Sequence, residues 1–465
     1  MNIYHFKRAV ISGLNNIILN APPLVGTHAN DSFGFSVDFN NIGNICVVGN
    51  PDYNTTESGA VKVYKQNPST LLWEQLGGDI LGNTDERIGY SVAITDDGNR
   101  IVVGSKASNP NTVNGSIYVY DYDGTVWAKT STITGEGISY WSGFSVTINS
   151  TGNVVAFGSP KDDASGTDRG SVVIYRQQLS EWVKIGTLYG ELVDDNSGWS
   201  IALNSLGNIL VVGAPFNNSP TTTDTGHVRI YQYAGPTVRT PSPLPTTWNQ
   251  IGIDIDGTAN SQGGFSVACN ASGTTIAIGN IHDSTLSENA GVVKVYRNIS
   301  GSWVQYGDAI IGDANDLAGY SVSLDNIGGE LAVGYPYKDS ASVVDTGAVD
   351  IYKYINSAWR KSYFRIPGKT VSENSGWSLA LSKNARNIII GAPNYVEGGN
   401  KLGIARIYTL PKQYSFWDFN YSAQSILNTF KVTSATSPSI VIKWGDGTAD
   451  TTTTSATPVS HTYTI

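Results

Sequence analysis

Paired carboxylates stand at one recurring point of this sequence, where they could take part in catalysis. Asp85 with Glu86, and Asp194 with Asp195, lie just ahead of two copies of a Gly-aromatic-Ser motif. A glycoside hydrolase needs two carboxyl groups within about 10 Å of each other. Carboxylate oxygens also cap turns by accepting hydrogen bonds from backbone amides, and this is the favoured interpretation. Neither pair offers a matched acid and base.

Other residue types that support catalysis or metal binding form no recognisable constellation. The five histidines do not recur with the motif and have no metal-ligand spacing. A serine follows each aromatic residue of the motif, and seven identical serines without a partnered base indicate a structural role. They are Ser36, Ser91, Ser145, Ser200, Ser266, Ser321 and Ser378. Because Walker loops, nucleophile elbows and zinc patterns are also lacking, we predict no catalytic residue, cofactor or metal site.

The aromatic residues of the motif are a second candidate for binding chemistry. They are Phe35, Tyr90, Phe144, Trp199, Phe265, Tyr320 and Trp377. Seven aromatic faces around an axis could serve as stacking platforms for sugars. One aromatic residue per repeat at a fixed strand position is also what a repeated core requires. We favour this second interpretation, in which the rings pack one repeat against the next.

The motif belongs to a unit that is repeated seven times. Its first glycine stands at Gly34, Gly89, Gly143, Gly198, Gly264, Gly319 and Gly376. A second glycine, 15 residues after each of these, ends an aliphatic run, and a third opens a segment resembling GxVxVY. A tryptophan follows in six of the units. Repetition of this kind indicates an array, a solenoid or a propeller.

Each unit predicts four β-strands. In segments such as FSVDF and YSVAI the apolar residues alternate, which is the period of a strand with two different faces. Segments such as VKVY and IYVY add β-branched and aromatic residues that suit a pleated surface. No unit contains a convincing helical stripe. We therefore predict an all-β fold: a seven-bladed β-propeller of four-stranded blades, followed by a small, incomplete β-sandwich-like module.

Loop lengths predict two different faces for the propeller. The fixed interval between the first two glycines indicates a tight hairpin, whereas the connections between the second and third strands are longer and vary. In a four-stranded meander these long loops share one rim with the links between blades. We expect this long-loop rim to bind a ligand. The candidate residues are Asp52, Tyr53, Asp162, Asp163, Asp194, Asp195, His282, Tyr337 and Tyr395.

Composition disfavours several classes of partner. The formal net charge is −9 and no basic stripe is present, which disfavours binding to nucleic-acid phosphates. No stretch is apolar enough to span a membrane, so membrane insertion is not expected. Lys7 and Arg8 precede an apolar run that asparagines interrupt, which makes the N-terminus a poor secretory signal. Cys46 and Cys269 fall in distant blades and are expected to be free thiols.

The first residues of the chain are predicted to close the ring. The seventh unit lacks its tryptophan strand, and residues 1–26 carry an LVG segment in phase with the ILG of the next unit. We expect Asn15 to Ala21 to pair beside Gly403 to Tyr408, because joining the first and last parts of the chain locks a circle. Trp417 is the alternative closing strand.

Two short motifs, Phe33-Gly34 and Gly213-Ala214-Pro215, recur in related forms along residues 27–411. This part of the chain resembles the FG-GAP family, the seven-bladed propeller repeats of integrin alpha subunits and many microbial surface proteins. Many blades of that family hold calcium in an Asp-rich loop between the first two strands. Here only Asp96 and Asp97 come near such a loop, and calcium needs several carboxylates, so no calcium is expected.

Residues 412–465 form the small C-terminal module. WGDGT at Trp444 to Thr448 and HTY at His461 to Tyr463 resemble a polycystic kidney disease (PKD) type domain. The chain stops before such a module would be complete. We therefore expect either a longer natural protein or completion of the module by another segment.

These features favour a non-enzymatic recognition or structural module on the surface of a virion or a microbial cell. A propeller joined to a PKD-like tail resembles adhesion and display proteins. The partners would be a glycan or a protein on a surface, and other virion or cell-envelope proteins. The poor secretory signal favours a virion component. The alternatives are a secreted bacterial adhesin and a carbohydrate-active enzyme using the carboxylates Asp85, Glu86, Asp194 and Asp195.

Overall fold

A computed structural model gives the structure of the chain. It describes residues 10–12, 18–19, 22–54, 57–106, 114–219, 222–235, 247–340, 343–362, 365–410, 427–430, 440–443, 451–453 and 459–462. Within these ranges every regular element is a β-strand, and they contain no helix that could cross a membrane. The chain divides into two units, one of residues Leu19–Thr409 and one of Met1–Ile18 together with Leu410–Ile465.

The larger unit is a seven-bladed β-propeller of antiparallel four-stranded blades, as the repeats predict. The innermost strands are Ser36–Phe39, Ile88–Ile94, Ser145–Ile148, Ser200–Leu203, Gly263–Cys269, Val322–Leu324 and Ser378–Leu381. The second strands are Ile45–Asn50, Arg100–Ser105, Val154–Ser159, Ile209–Ala214, Thr275–Asn280, Glu330–Tyr335 and Asn387–Ala392. The third strands are Ala60–Gln66, Ser116–Tyr122, Ser171–Gln178, His227–Tyr233, Val292–Ile299, Ala348–Ile355 and Ile404–Thr409.

The outermost strand follows the third strand in each of the first six blades. It is continuous in the second and third blades, with a register shift, and is split into two short segments in the other four. The outer strands are Trp73–Gln75 with Ile80–Leu81, Trp127–Thr134, Glu181–Tyr189, Trp248–Gln250 with Ile255–Asp256, Ser302–Gln305 with Ile310–Ile311, and Ala358–Lys361 with Ile366–Pro367.

The seventh blade takes its outer strand from the start of the chain. Ile18–Leu19 lies beside Ile404–Thr409, and Leu24–Val25 pairs with the same strand through Leu24 opposite Ala405. Ile18–Leu19 falls inside the segment that the sequence assigns to ring closure. The alternative closing residue, Trp417, lies outside the described residues.

The second strand of each blade carries most of the core. All six residues of Ile45–Asn50 are buried, because a radial blade is covered on both faces by its neighbours. Val47 and Val48 point to opposite faces and each is 0% exposed. A strand that is buried on both faces has aliphatic residues at consecutive positions, which explains the uninterrupted VVG-type segments of the sequence. Cys46 is buried in the same strand, and both cysteines are free, as expected.

Neighbouring blades are joined close to the axis by the seven motif serines. Ser36 donates its hydroxyl hydrogen to the carbonyl oxygen of Gly89 in the next blade at 2.9 Å, and the other six serines repeat this bond at 2.6 to 2.8 Å. The second glycine permits the approach, since a Cβ on Gly49 would lie 2.1 Å from the Gly89 oxygen. The structural role predicted for these serines is confirmed.

The hairpins between first and second strands form a second ring at the opposite end of the axis. Each turn donates one backbone N–H to a carbonyl oxygen of the following turn, in a closed circle of seven bonds of 2.9 to 3.2 Å. Lys383 of the seventh blade also pairs with Asp96 of the second and donates to Ser150 Oγ of the third at 3.1 Å. We call this end of the propeller the hairpin face.

Described strands of the smaller unit form two small sheets. Val10–Ser12 pairs with Ile440–Lys443, which pairs in turn with Thr451–Thr453. Leu427–Phe430 pairs with Val459–Thr462. All these pairings are antiparallel. A strand from residues 1–26 therefore belongs to this unit, while the following residues close the propeller.

Candidate functional site

The seven motif aromatics form a closed ring around the propeller axis. Each ring contacts the ring of the next blade, with centroids 4.6 to 5.8 Å apart and planes inclined by 43° to 50°. Such tilted contacts are favourable between aromatic side chains. The prediction that these residues pack blade against blade is thus confirmed. All seven are nevertheless only half-buried, so that part of each ring stays open to solvent.

This aromatic ring lines a cavity at the centre of the long-loop face. Each aromatic residue stands at the start of an innermost strand, directly after the link from the preceding blade, which places it at that end of the axis. The cavity measures about 250 Å³ and is bordered by the aromatic, serine and aliphatic residues of all seven motifs. We call it the aromatic bowl. Apolar walls with few polar groups are typical of ligand sites.

Aromatic side chains extend the rim of the bowl on one side. Phe216 meets the Trp199 ring edge-on at 5.3 Å, and Tyr337 meets Tyr320 in the same way at 6.4 Å. These two residues occupy the same place in the loops that follow the second strands of the fourth and sixth blades. They extend the aromatic surface outwards from the bowl.

The opposite side of the rim is charged. Arg87 pairs with Asp52, Lys161 pairs with Asp168 at 2.6 Å, and Lys401 lies 3.9 Å from Asp52. The border of the bowl therefore carries ion pairs along the seventh and the first to third blades, while aromatic side chains extend it along the fourth and sixth blades. Paired charges of this kind contribute little to folding stability at an exposed rim.

Lys106 lies inside a cage of aromatic rings on the charged side. Its ammonium nitrogen is 3.9 Å from the centroid of Trp141, 4.8 Å from that of Tyr90 and 5.7 Å from that of Phe144. An ammonium group is attracted to the faces of such rings. Burial, followed by the neighbouring Arg87 charge, lowers the pKa of Lys106 to about 8, while Asp52 opposes this shift.

Trp141 holds its position at a conformational cost. Its φ is +57°, in the left-handed region that bulky side chains rarely adopt. The fold imposes this conformation two residues before the motif glycine, where other repeats carry residues such as Arg87, Asn196 or Gln262, also at positive φ. In the third blade this place is occupied by Trp141, whose ring stacks on that of Phe144 with the ring centroids 5.9 Å apart. Strain of this kind is found at functional sites.

His282 and Tyr337, two of the predicted rim residues, border a second cavity. It lies between the loops of the fifth and sixth blades and measures about 450 Å³. His282 Nδ1 lies 3.0 Å from Asn289 Oδ1, and Lys338 on the cavity wall pairs with Asp316 at 2.9 Å. Burial raises the pKa of Tyr337. The prediction thus named two residues that the fold brings together.

The remaining predicted rim residues are engaged within the rim itself. Asp52 accepts a hydrogen bond from Ser32 in addition to its Arg87 pair. Tyr53 meets His28 edge-on at 4.7 Å. Tyr395 lies 5.6 Å from the Arg406 guanidinium.

Asp162 and Asp163 organise their own loop. Asp162 is 4% exposed and accepts hydrogen bonds from Ser171 Oγ and from the Ala164 amide. Asp163 accepts a bond of 2.7 Å from the Asp168 amide. Their oxygens therefore serve the loop conformation.

The carboxylate pairs of the sequence cap turns. Asp195 is 0% exposed and accepts the amides of Glu191 and Leu192 at 2.7 Å and an Asn217 Nδ2 hydrogen at 3.0 Å. Burial raises the pKa of Asp195. Glu86 accepts the Asn83 amide at 2.8 Å in the same manner. Asp85 and Asp194 both take positive φ in these turns, at +65°.

One potential metal-binding group was not anticipated from the sequence. Glu191, His227 and Asp254 bring one ligand atom each to within 4.8 Å of the others. Arg229 already pairs with both carboxylates, at 2.6 and 2.7 Å, so a cation would compete with a fixed positive charge. Burial and the Arg229 charge lower the pKa of His227 to about 4. The three residues come from separate blade elements, and sequence spacing gave no signal for them.

In most of the hairpin turns between the first and second strands, a side-chain oxygen closes the turn. Asn204 Oδ1 accepts the amides of Asn208 and Ile209, both at 3.0 Å. Asp325 does the same in the sixth blade with the amides of Gly329 and Glu330. The turn is thus held by direct hydrogen bonds from one acceptor to the amides that the tight loop leaves unpaired.

Lys106 and Trp141 were also missed by the sequence reasoning. The signal that could have found Lys106 is its place in the repeat, because five of the other blades have proline there: Pro51, Pro160, Pro215, Pro336 and Pro393. Departures from a repeated pattern mark positions where the fold does not require the repeated residue.

Comparison of the chain with protein-family models and with curated proteins finds no match.

Proposed function

We propose that this chain is a non-enzymatic recognition module that binds a glycan in the aromatic bowl. The observation that carries the proposal is the ring of seven half-buried aromatic side chains around a cavity of about 250 Å³. A sugar ring offers an apolar face of C–H groups and an edge of hydroxyl groups. An aromatic floor with a polar rim is complementary to both.

The serine and acidic side chains at and near the bowl are already engaged in hydrogen bonds within the fold. The motif serines that line it are committed to the bonds between blades, and their hydroxyl hydrogens point to glycine carbonyl oxygens. The acidic residues Glu86 and Asp195 are used as turn caps. The groups on the bowl surface are therefore suited to contact a ligand and not to transfer protons.

We further propose that the module is displayed on the surface of a virion or a microbial cell. The resemblance of the repeats to FG-GAP propellers and of residues 412–465 to PKD-type domains supports this setting. Detection of the protein in intact particles, or on intact cells, by a specific antibody tests it. Its absence from both surfaces would contradict this part of the proposal.

A glycan array, combined with a reducing-sugar release assay on the same purified chain, tests the proposed function. We expect binding without release. Trp199→Ala should remove most of the binding, because it opens the aromatic floor, whereas Trp199→Phe should retain part of it. Tyr122→Ala is the matched control, since Tyr122 ends a third strand at the hairpin face and contacts Trp127.

Three outcomes would contradict the proposal. Release that is abolished by joint substitution of Asp194 and Asp195 would indicate a carbohydrate-active enzyme. Absence of binding to every saccharide class on the array would leave the bowl without a glycan role. Equal losses in Trp199→Ala and Tyr122→Ala would show that binding does not use the bowl.

A further inference from the structure

Lys106 differs from the other cations at the rim of the bowl. Arg87, Lys161 and Lys401 each have a carboxylate within ion-pair distance. Across the part of the chain that the structure describes, Lys106 has aromatic neighbours but no carboxylate partner. It is also well withdrawn from water, which costs a charged group hydration free energy. The cage therefore holds a cation without a carboxylate in ion-pair contact, and the Asp52 charge acts on it only from a greater distance.

A partly desolvated cation that has no ion-pair partner and lies at the edge of a ligand cavity favours an anionic group on the ligand. Its charge-assisted hydrogen bond would be stronger than one between neutral groups. The aromatic neighbours contribute a different preference, because Trp141 and Phe144 present extended apolar faces, stacked with an angle of 12° between their planes. A saccharide that carries an acidic substituent meets both preferences. Its anionic group would pair with Lys106, and its apolar face would lie against the aromatic rings.

We propose that the bowl binds an acidic saccharide, carboxylated or sulfated, whose anionic group lies at Lys106 and whose ring lies against Trp141 and Phe144. This inference rests on the proposed function and specifies its ligand class. The overall charge of −9 would repel such a ligand, so the local attraction comes from Lys106, which has no carboxylate within ion-pair distance among the described residues.

The residue type at Trp141 gives further support. The fold imposes a positive φ at this place in five other blades, where the residues are Arg87, Asn196, Gln262, Leu317 and Asn374. The protein therefore places a large aromatic face beside Lys106 although the turn itself does not need one. Lys106 likewise stands where most repeats have proline. Lys106, which departs from the repeated proline, and Trp141, at a position without a common residue, thus meet beside the bowl.

Matched pairs of ligands separate this inference from the proposed function. The probes are an oligogalacturonate with its methyl ester, and a sulfated oligosaccharide with its desulfated form, measured by calorimetry. We expect at least one acidic member to bind at least 10-fold more tightly than its neutral partner. Equal binding of both members would overturn the inference and leave the proposed function standing. Failure of every saccharide to bind would contradict the proposed function itself.

Variants of the lysine test its assignment. Lys106→Met should weaken binding of the acidic member at least 10-fold and so remove the preference for it, while Lys106→Arg should retain the preference. Lys129→Met is the matched control, because Lys129 lies 4.8 Å from the Tyr118 ring on the outer part of the same blade. A preference that survives in Lys106→Met, or is lost equally in Lys129→Met, would overturn the assignment.

Inorganic sulfate provides the last arm of the experiment. If the saccharide ring matters, millimolar sulfate alone should compete weakly with the acidic oligosaccharide. Competition by sulfate at the same concentration as the oligosaccharide would show a site for free anions and overturn the inference. An acidic peptide of equal charge that competes equally well would overturn it in favour of a protein partner.

Discussion

Ser378 in the last blade donates its hydroxyl hydrogen to the carbonyl oxygen of Gly34 in the first, at 2.7 Å and across 344 positions of sequence. The same bond joins every other pair of neighbouring blades. Ring closure is therefore made with the same contact as each internal junction, and the seven blades are equivalent at the axis. This equivalence is what gathers seven aromatic residues into one bowl.

Ser378→Ala tests this junction. Loss of one hydrogen bond between neutral groups should lower the free energy of unfolding by about 1 kcal/mol. The same substitution at Ser200, an internal junction, should cost a similar amount, because the two bonds have the same length of 2.7 Å. Urea unfolding followed by tryptophan fluorescence measures both. A much larger loss in Ser378→Ala would show that closure depends on this bond more than internal junctions do.

Deletion of residues 1–26 should destabilise the propeller far more. It removes Leu24–Val25 from the edge of Ile404–Thr409 and leaves that strand unpaired at the outside of the ring. A sharp fall in melting temperature and a tendency to aggregate are expected. Leu24→Asp should reproduce part of the effect, whereas Ile253→Asp, at a site 85% exposed, should not. An unchanged melting temperature after the deletion would favour closure by Trp417.

Asn204→Ala should destabilise the hairpin of the fourth blade. Asn204 is 2% exposed, and its loss leaves two backbone amides without their acceptor, a cost of about 1 to 3 kcal/mol. Asn204→Asp keeps the acceptor, and an aspartate fills this place at Asp325, so it should cost less. Equal losses in both variants, measured by urea unfolding, would show that the acceptor oxygen is not what holds the turn.

A chelator should leave the melting temperature unchanged. The hairpin turns are closed by direct bonds to their own side chains, and the sequence offers too few carboxylates for calcium at these loops. Thermal melts with excess EDTA and with added calcium check this expectation. A large fall with EDTA would mean that a bound cation stabilises the native state.

Affinity for an acidic saccharide should fall as the pH rises above 8. Burial lowers the pKa of Lys106 to about 8, so its ammonium form dominates below that pH and is lost above it. Burial raises the pKa of the facing Tyr90 to about 12, so this phenol stays protonated over the pH range in which Lys106 loses its charge. Lys106→Arg should bind with little change between pH 7 and 9, because its guanidinium stays charged. Calorimetric titrations of the unsubstituted chain and of Lys106→Arg with the acidic saccharide, between pH 7 and 9, measure this difference in pH dependence.

The sequence by itself determined the architecture. Spacing of the three glycines defined seven units, strand periodicity defined four strands in each, and the phase of Leu24 to Gly26 indicated where the first residues belong. It also indicated that the serines serve the fold, because a residue shared by every repeat has a role in the repeat, and that the acidic pairs cap turns, because carboxylates accept hydrogen bonds from backbone amides. These inferences need only local periodicity and turn chemistry.

The tertiary structure alone decided which side chains share a surface. Lys106 and Trp141 are 35 positions apart and come from loops of two blades, and only the curvature of the ring brings the ammonium group to 3.9 Å from the indole. Glu191, His227 and Asp254 meet for the same reason. Periodicity reports the residues that repeat, such as the seven aromatic residues of the bowl, whereas Lys106 and Trp141 lie outside the repeated pattern and give no periodic signal. Their distances depend on the blade angle and on side-chain conformations, neither of which is encoded in sequence spacing.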